Sequence, residues 1–357
     1  MTTRRAFLAS LAAATATPRL GWAAVGNPSY IAAAKRPDGS YVLAGFDTKG
    51  AGLFRLPLPA RGHAGAAHPQ RAEAIAFARR PGYYAVVIDA VSGKALHELT
   101  PPDGRQFNGH GFYIDGGATL LTVEQLAQGS DGLIGVWDVA SGYTRIGEFA
   151  THGIGPHDVR LMPDGQTLVV ANGGIQTDAS DRTKLNIPDM RPSLVYLSLA
   201  GDLLEEVRLD DELHQNSIRH LALREDGLVG FAMQWEGEPG MAWPLLGLHR
   251  RGAAPVLAEA PLPDELAMKG YAGSIAFSAD GSEVAITSPR GGRLNRFSSE
   301  GVFLGGQRRD DVCGLAAHPE GLVASDGFGG LIVVGPDGAR PLALFDDLAW
   351  DNHIVAL

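Results

Sequence analysis

Apolar and polar residues alternate along this chain in short bursts, and each burst is broken by a turn built on Gly. Two stretches show the pattern most plainly. Val159-Arg160-Leu161-Met162-Pro163-Asp164-Gly165-Gln166-Thr167-Leu168-Val169-Val170 and Ile275-Ala276-Phe277-Ser278-Ala279-Asp280-Gly281-Ser282-Glu283-Val284-Ala285-Ile286 each read as strand, tight turn, strand. Asp-Gly between two alternating runs is a strong hairpin signal, because Gly supplies the positive φ that such turns need. Comparable turns sit at Pro37-Asp38-Gly39, Pro81-Gly82, Asp115-Gly116-Gly117, Asp226-Gly227 and Pro319-Glu320-Gly321, so the hairpin recurs along the whole chain.

Most units run on into another strand and turn, as in Gly135-Val136-Trp137-Asp138-Val139-Ala140-Ser141-Gly142 and Leu331-Ile332-Val333-Val334-Gly335-Pro336-Asp337-Gly338. Seven units spread over residues 25–357 come to about 48 residues each, the length of a four-stranded propeller blade. The pattern therefore predicts an all-β protein: a seven-bladed β-propeller of four-stranded antiparallel blades around a central channel, forming a single domain over 25–357. A pair of β-sandwiches accounts less well for similar hairpins at regular spacing. The last run, Ile354-Val355-Ala356-Leu357, is expected to pair with the first strands and close the ring, which hides exposed strand edges. The polar insertion from Gln176 to Pro192 is expected to be an ordered loop over one face, where function concentrates.

Residues 1–24 read as an address. Arg4-Arg5 precede Phe7-Leu8 and an Ala-rich stretch, and Gly21-Trp22-Ala23-Ala24 offers small residues for cleavage, the pattern of a twin-arginine (Tat) signal peptide and hence of a periplasmic protein. The apolar part is shorter than the roughly 20 residues that span a bilayer, and no later run is long enough, so no membrane span is expected after cleavage. Composition narrows the function. Thirty basic against 40 acidic residues give a formal charge of -10, which argues against nucleic acid or anionic lipid as a partner. Forty-seven Gly fit a chain of turns rather than a helical bundle, and one cysteine permits no internal disulfide. A closed ring leaves little free edge, so a monomer is expected.

The chemistry lies in residues at repeated positions. His110 precedes Gly117 by seven positions, His157 precedes Gly165 by eight and His220 precedes Gly227 by seven, while Ser274 and Cys313 hold the matching places before Gly281 and Gly321. These mark the entrance to the first strand of each blade, which in a propeller borders the channel. Convergence from several blades assembles imidazoles that suit Zn, Cu, Fe or Ni. His63 and His353 are expected to join them, the latter from the seventh blade, and Cys313 is a candidate thiolate ligand. The offsets of seven and eight conflict, because a one-residue slip turns a side chain to the opposite face of a regular strand. Two readings stay open: ligands for iron or copper, or polar residues hydrogen-bonded within the channel. His68, His97, His152, His249 and His318 fall nearer turns or outer strands and are expected to be solvated.

Arg61, Glu124, Asp158, Asn172, Gln215, Ser217, Arg219, Gln234, Arg290 and Asp311 lie close to these segments. They are candidates for orienting the imidazoles or forming a rim, with Arg61, Arg219 and Arg290 as a possible anion-binding fork. The Gly pairs at Gly173-Gly174 and Gly291-Gly292 do not stand between a strand and a helix, so they read as turns rather than phosphate loops. The chain has no Ser-nucleophile elbow, Walker motif, zinc-protease pair or haem-attachment cysteines, so covalent catalysis has no support.

Asn108-Gly109-His110-Gly111-Phe112-Tyr113, Gly153-Ile154-Gly155-Pro156-His157-Asp158-Val159, Lys184-Leu185-Asn186, Arg219-His220-Leu221-Ala222, Ser288-Pro289-Arg290-Gly291-Gly292, Cys313-Gly314-Leu315-Ala316 and Trp350-Asp351-Asn352-His353 resemble the bacterial Domain of Unknown Function 1513 family over nearly the whole mature chain. The resemblance implies a Tat-exported β-propeller with no established reaction. It also implies an association with imelysin-type and di-haem peroxidase-like proteins of periplasmic iron uptake. It supplies no catalytic residues. Two functions follow as expectations: an accessory of iron, copper or haem acquisition with a histidine-lined axial site, or a scaffold that holds imelysin-like or peroxidase-like partners and carries no ion. A propeller lactonase-like hydrolase is a weaker third, since it would put carboxylates and amides on the axis.

Overall fold

The computed structural model describes residues 20–79 and 82–357. Arg4-Arg5 and most of the expected leader lie outside the described residues. Within Leu20–Ala24, Trp22 stacks on Phe54 with ring centroids 6.2 Å apart and donates its Nε1–H to the His68 carbonyl at 2.8 Å.

Among the described residues the strands form seven four-stranded antiparallel sheets arranged as a seven-bladed β-propeller. The innermost strands, in blade order, are Ala349–Ala356, Gly62–Ala67, Arg105–Ile114, Pro156–Leu161, Asn216–Leu223, Ser274–Phe277 and Val312–His318. Blade one is composite. Its inner strand comes from the C-terminal end of the chain and pairs antiparallel with Tyr30–Lys35, Ile31 facing Val355 and Ala32 facing Ile354. His353 therefore belongs to blade one rather than to blade seven, because the strand after the seventh blade crosses the seam.

The apolar faces are buried between neighbouring blades rather than on the axis. Each of the seven blade-to-blade interfaces has its own cluster, such as Val169, Leu194 and Tyr196 of blade four against Ile218, Phe231 and Met233 of blade five. Sheets with one face against each neighbour are buried on both sides, which is why central strands such as Thr167–Asn172 are buried at every position and apolar from Leu168 to Ala171. Filling the interfaces in this way leaves the channel to the polar positions of the inner strands.

The second hairpin differs from expectation. The first two strands of blade two, Gly62–Ala67 and Glu73–Ala78, are joined through His68-Pro69-Gln70-Arg71-Ala72, and Gly82 lies between the second and third strands, bridged to Phe107. Here an imidazole does the work of the turn aspartate: His68 Nδ1 accepts the Gln70 and Arg71 N–H groups at 3.1 Å. His318-Pro319-Glu320 repeats the device in blade seven, where Nδ1 accepts the Glu320 N–H at 3.1 Å and Nε2 meets the Thr48 carbonyl at 2.9 Å. His249 is held between the Tyr196 hydroxyl at 2.7 Å and the Ala253 carbonyl at 2.9 Å. These three histidines are buried, not solvated, because each closes a local hydrogen-bond network.

The insertion Gln176–Pro192 is ordered over one face of the ring. Its tip is held by the Ala179 carbonyl, which accepts Gln106 Nε2 at 2.6 Å and the Tyr83 hydroxyl at 3.0 Å, and its return by Gln215 Nε2 on the Ile187 carbonyl at 3.2 Å.

The seam is the test of closure. Phe46 is fully buried between Tyr30 and Trp350, with centroids 5.3 and 5.5 Å away, and belongs to the cluster joining blades one and seven. Phe46→Ala is expected to cost about 3–5 kcal/mol, since a rigid interface collapses poorly around the cavity; chemical denaturation monitored by Trp fluorescence measures it, and a loss under about 1 kcal/mol would show that the seam is not closed by this packing.

Candidate metal centre

Side chains reach the axis because the inner strands are irregular where they pass it. In blade two Gly62 pairs with Ala78 and Gly65 with Ala76, so three steps on the inner strand face two on its partner, and His63 sits in the bulge. The register shifts likewise between Phe107 and Gly111 around His110, between Pro156 and Asp158 at His157, and between Ile218 and His220 at Arg219. In blade one the shift spans Asp351 to His353. A bulge adds a residue and re-aims its neighbours. This resolves the conflict between offsets of seven and eight. It also lets successive residues, Arg219 and His220, border the same recess, which a regular strand forbids.

Five imidazoles meet as a result. Around the axis the ring centroids are 5.0 Å apart for His63 and His110, 5.0 Å for His110 and His157, 4.4 Å for His157 and His220, 4.7 Å for His220 and His353, and 4.7 Å for His353 and His63. The five form a closed ring, although the blades of Ser274 and Cys313 stand between those of His220 and His353. Two overlapping triads have ligand nitrogens within 4.8 Å of one another, His63 with His110 and His353, and His110 with His157 and His220. Close approach has a backbone requirement. Gly109 has φ 91°, and a Cβ there would lie 2.5 Å from the His63 ring, so only glycine leaves room for the ring.

All five rings are at most 9% exposed. Burial pushes His63 and His220 well below the usual imidazole pKa, with further depression from neighbouring imidazoles, and brings His353 to about 4. These rings are neutral at pH 7, the form that binds metals. His63 Nδ1 and His353 Nε2 have no hydrogen-bond partner among the described residues, so the cluster is not held by a complete hydrogen-bond network of its own. Asp158 stands behind His110, Oδ1 3.6 Å from Nδ1, and accepts the Val159 and Leu221 N–H groups at 2.9 and 3.1 Å. Burial raises its pKa, against the pull of Arg160.

The remaining sequence candidates divide. Arg219, Gln234 and Arg290 line a recess of about 310 Å³ whose floor includes His63, His157 and His220. Arg61 is tied to Asp351 at 2.6 Å, and Asp311, an exposed residue, has its pKa raised by partial desolvation and by the charge of Asp326. Glu124 is enclosed within blade three, where it accepts from Arg145 at 2.6 Å and from Thr122 at 2.5 Å; this ion pair is remote from the axis. Asn172 donates to the Thr151 carbonyl at 3.1 Å and Ser217 to that of Gly173 at 2.8 Å, so both secure backbone. Cys313 departs from the expected ligand role. Its Sγ turns into the apolar seam towards the Ser325 and Trp350 carbonyls, and burial pushes its thiol up to about 12. The sequence reading missed Arg79, Glu236, Tyr271 and Asn352 of the recess. None stands at a repeated offset from a turn, and only the stretch Trp350-Asp351-Asn352-His353 pointed towards Asn352.

A closed seven-bladed β-propeller with buried histidines gathered on its axis is thus the class that fold and geometry define. The chain belongs to the family described as protein of unknown function (DUF1513), whose model matches residues 56–357. Hydrazine synthase from Kuenenia stuttgartiensis is a similar solved structure, with TM-score 0.60 and 14% identity over 90% of this chain and 96% of that one, a likeness of fold alone. No curated protein matches the sequence. No helix among the described residues is long and apolar enough to cross a membrane.

The depressed imidazoles fix the sign of a pH effect. An unfolded chain protonates its histidines near 6.5 while His63, His220 and His353 stay neutral in the fold, so their contribution is complete above about 6.5 and is lost as pH falls towards 4. Metal-free protein is expected to show a Tm that declines between pH 7 and 5, with a shallower decline in His353→Gln; a flat profile over that interval contradicts neutral burial.

Proposed function

We propose that this propeller binds a transition-metal ion, iron or copper, through the axial imidazoles, and that it serves as a periplasmic accessory of metal acquisition. The observation that carries the reading is the closed ring of five buried imidazoles, two triads of which already bring their nitrogens within 4.8 Å. Imidazole is a shared preference of Fe, Cu, Ni and Zn, whereas the absence of carboxylates from both triads disfavours Mg or Ca. An ion held there supplies Lewis acidity and, for iron or copper, one-electron chemistry. Asp158 stands behind His110, its Oδ1 3.6 Å from Nδ1, where it can steady that ring. The expected export signal in residues 1–24 and the association with iron-uptake proteins that the family resemblance implies support the assignment to acquisition outside the cytoplasm.

Elemental analysis of natively exported protein tests the reading. Near-stoichiometric iron or copper is expected, and it should disappear in the His110→Ala/His157→Ala/His220→Ala variant while the fold persists by circular dichroism. Gly109→Ala keeps every ligand but drives a methyl group into the His63 ring, so metal affinity should fall by about tenfold or more in equilibrium dialysis. Native protein that takes up neither ferrous iron nor copper on challenge overturns the assignment and leaves the scaffold for iron-uptake partners as the reading.

A further inference from the structure

The recess above the imidazoles has a charge that the rest of the chain does not. Arg79, Arg182, Lys184, Arg219 and Arg290 line it, against a single carboxylate, Glu236, in a chain whose formal charge is -10. Lys184 and Arg219 already share that carboxylate. Arg290 lies over the Tyr271 ring at 4.3 Å, and Arg182, exposed at the rim, has its pKa lowered by partial desolvation and by the nearby Arg219.

Arg219 carries the argument. Among the described residues it is 6% exposed, its one carboxylate contact is with Glu236 at 3.4 Å, and its Nε has no hydrogen-bond partner. Burial depresses its pKa, yet a guanidinium stays charged at neutral pH. A buried charged donor left unused is costly, and a ligand that brings an acceptor into the recess removes the cost.

We propose that this recess binds a small oxyanion of two or more negative charges, a polycarboxylate or a phosphate. Arg182, Arg219 and Arg290 grip its charged groups, and an oxygen is turned towards the imidazole floor. The planar guanidinium fork matches the paired oxygens of both anion types. A cationic recess in a negatively charged protein concentrates such anions there and excludes them elsewhere. Neutral imidazoles would leave a bound cation's charge largely uncompensated, so the anion completes its surroundings; on this last point alone the proposal rests on the axial-metal reading.

Isothermal titration of the metal-free full-length protein with citrate, inorganic phosphate and acetate decides it. Citrate or phosphate is expected to bind one-to-one at millimolar concentration or below, more weakly as salt is raised, and acetate about tenfold less tightly or worse. Arg182 and Arg290 are exposed at the rim and can be removed without opening the core. The Arg182→Ala/Arg290→Ala variant should keep the native Tm and lose about tenfold or more in affinity. The better binder of citrate and phosphate identifies the anion's source. Failure of both to bind, acetate binding equal to theirs, or an affinity unchanged in the double variant each overturns the proposal. The titration uses metal-free protein, so its outcome stands whether or not the imidazoles hold an ion.

Discussion

The bulges in the innermost strands are the constraint on which this structure turns. A regular strand sends alternate side chains to opposite faces, and in a propeller both faces are claimed by apolar contacts with neighbouring blades. An extra residue at the point nearest the axis frees one side chain from that alternation. Repeated at His63, His110, His157, Arg219 and His353, it turns five separate sheets into a single constellation. Asp158 adds a strut between two of them, accepting from the backbone of its own blade and from Leu221 of the next.

The apolar clusters and the polar axis are complementary. Every blade interface carries its own hydrophobic packing, so the ring is stabilised at its circumference and the channel contributes little. The fold can therefore tolerate groups on the axis that would be ruinous in a central core: uncharged imidazoles without full hydrogen bonding, and Arg219 with an unused donor. Groups arranged at such cost point towards ligands rather than towards stability.

Much of this was legible in the chain. Asp-Gly hairpins revealed the blades, and offsets of seven or eight residues from those turns picked out His110, His157 and His220 without any local ligand motif. The blade-two turn was missed because it lacks both the aspartate that marks most of the others and the glycine that follows it, although His68-Pro69 repeats His318-Pro319 and offered a signal. Cys313 shows the limit of spacing. It holds the place of a ligand by offset, but the bulge between Val312 and Leu315 does not deliver its sulfur to the axis. The recess was hardest to read, since Arg79 and Glu236 follow the ends of second strands and Arg182 rides on an insertion. Nothing local in the sequence says that these places are neighbours.

The inner strand of blade one has one more consequence, for the order of events during synthesis. It supplies both the closure of the ring and His353, so a ribosome that has made six blades and the outer part of the other has made neither a sealed ring nor a full imidazole set. Architectural completion and assembly of the fifth imidazole are a single event. A nascent chain that lacks Ala349–Ala356 offers at most an incomplete, solvent-open set of histidines, because one strand supplies both the seam and the fifth ring.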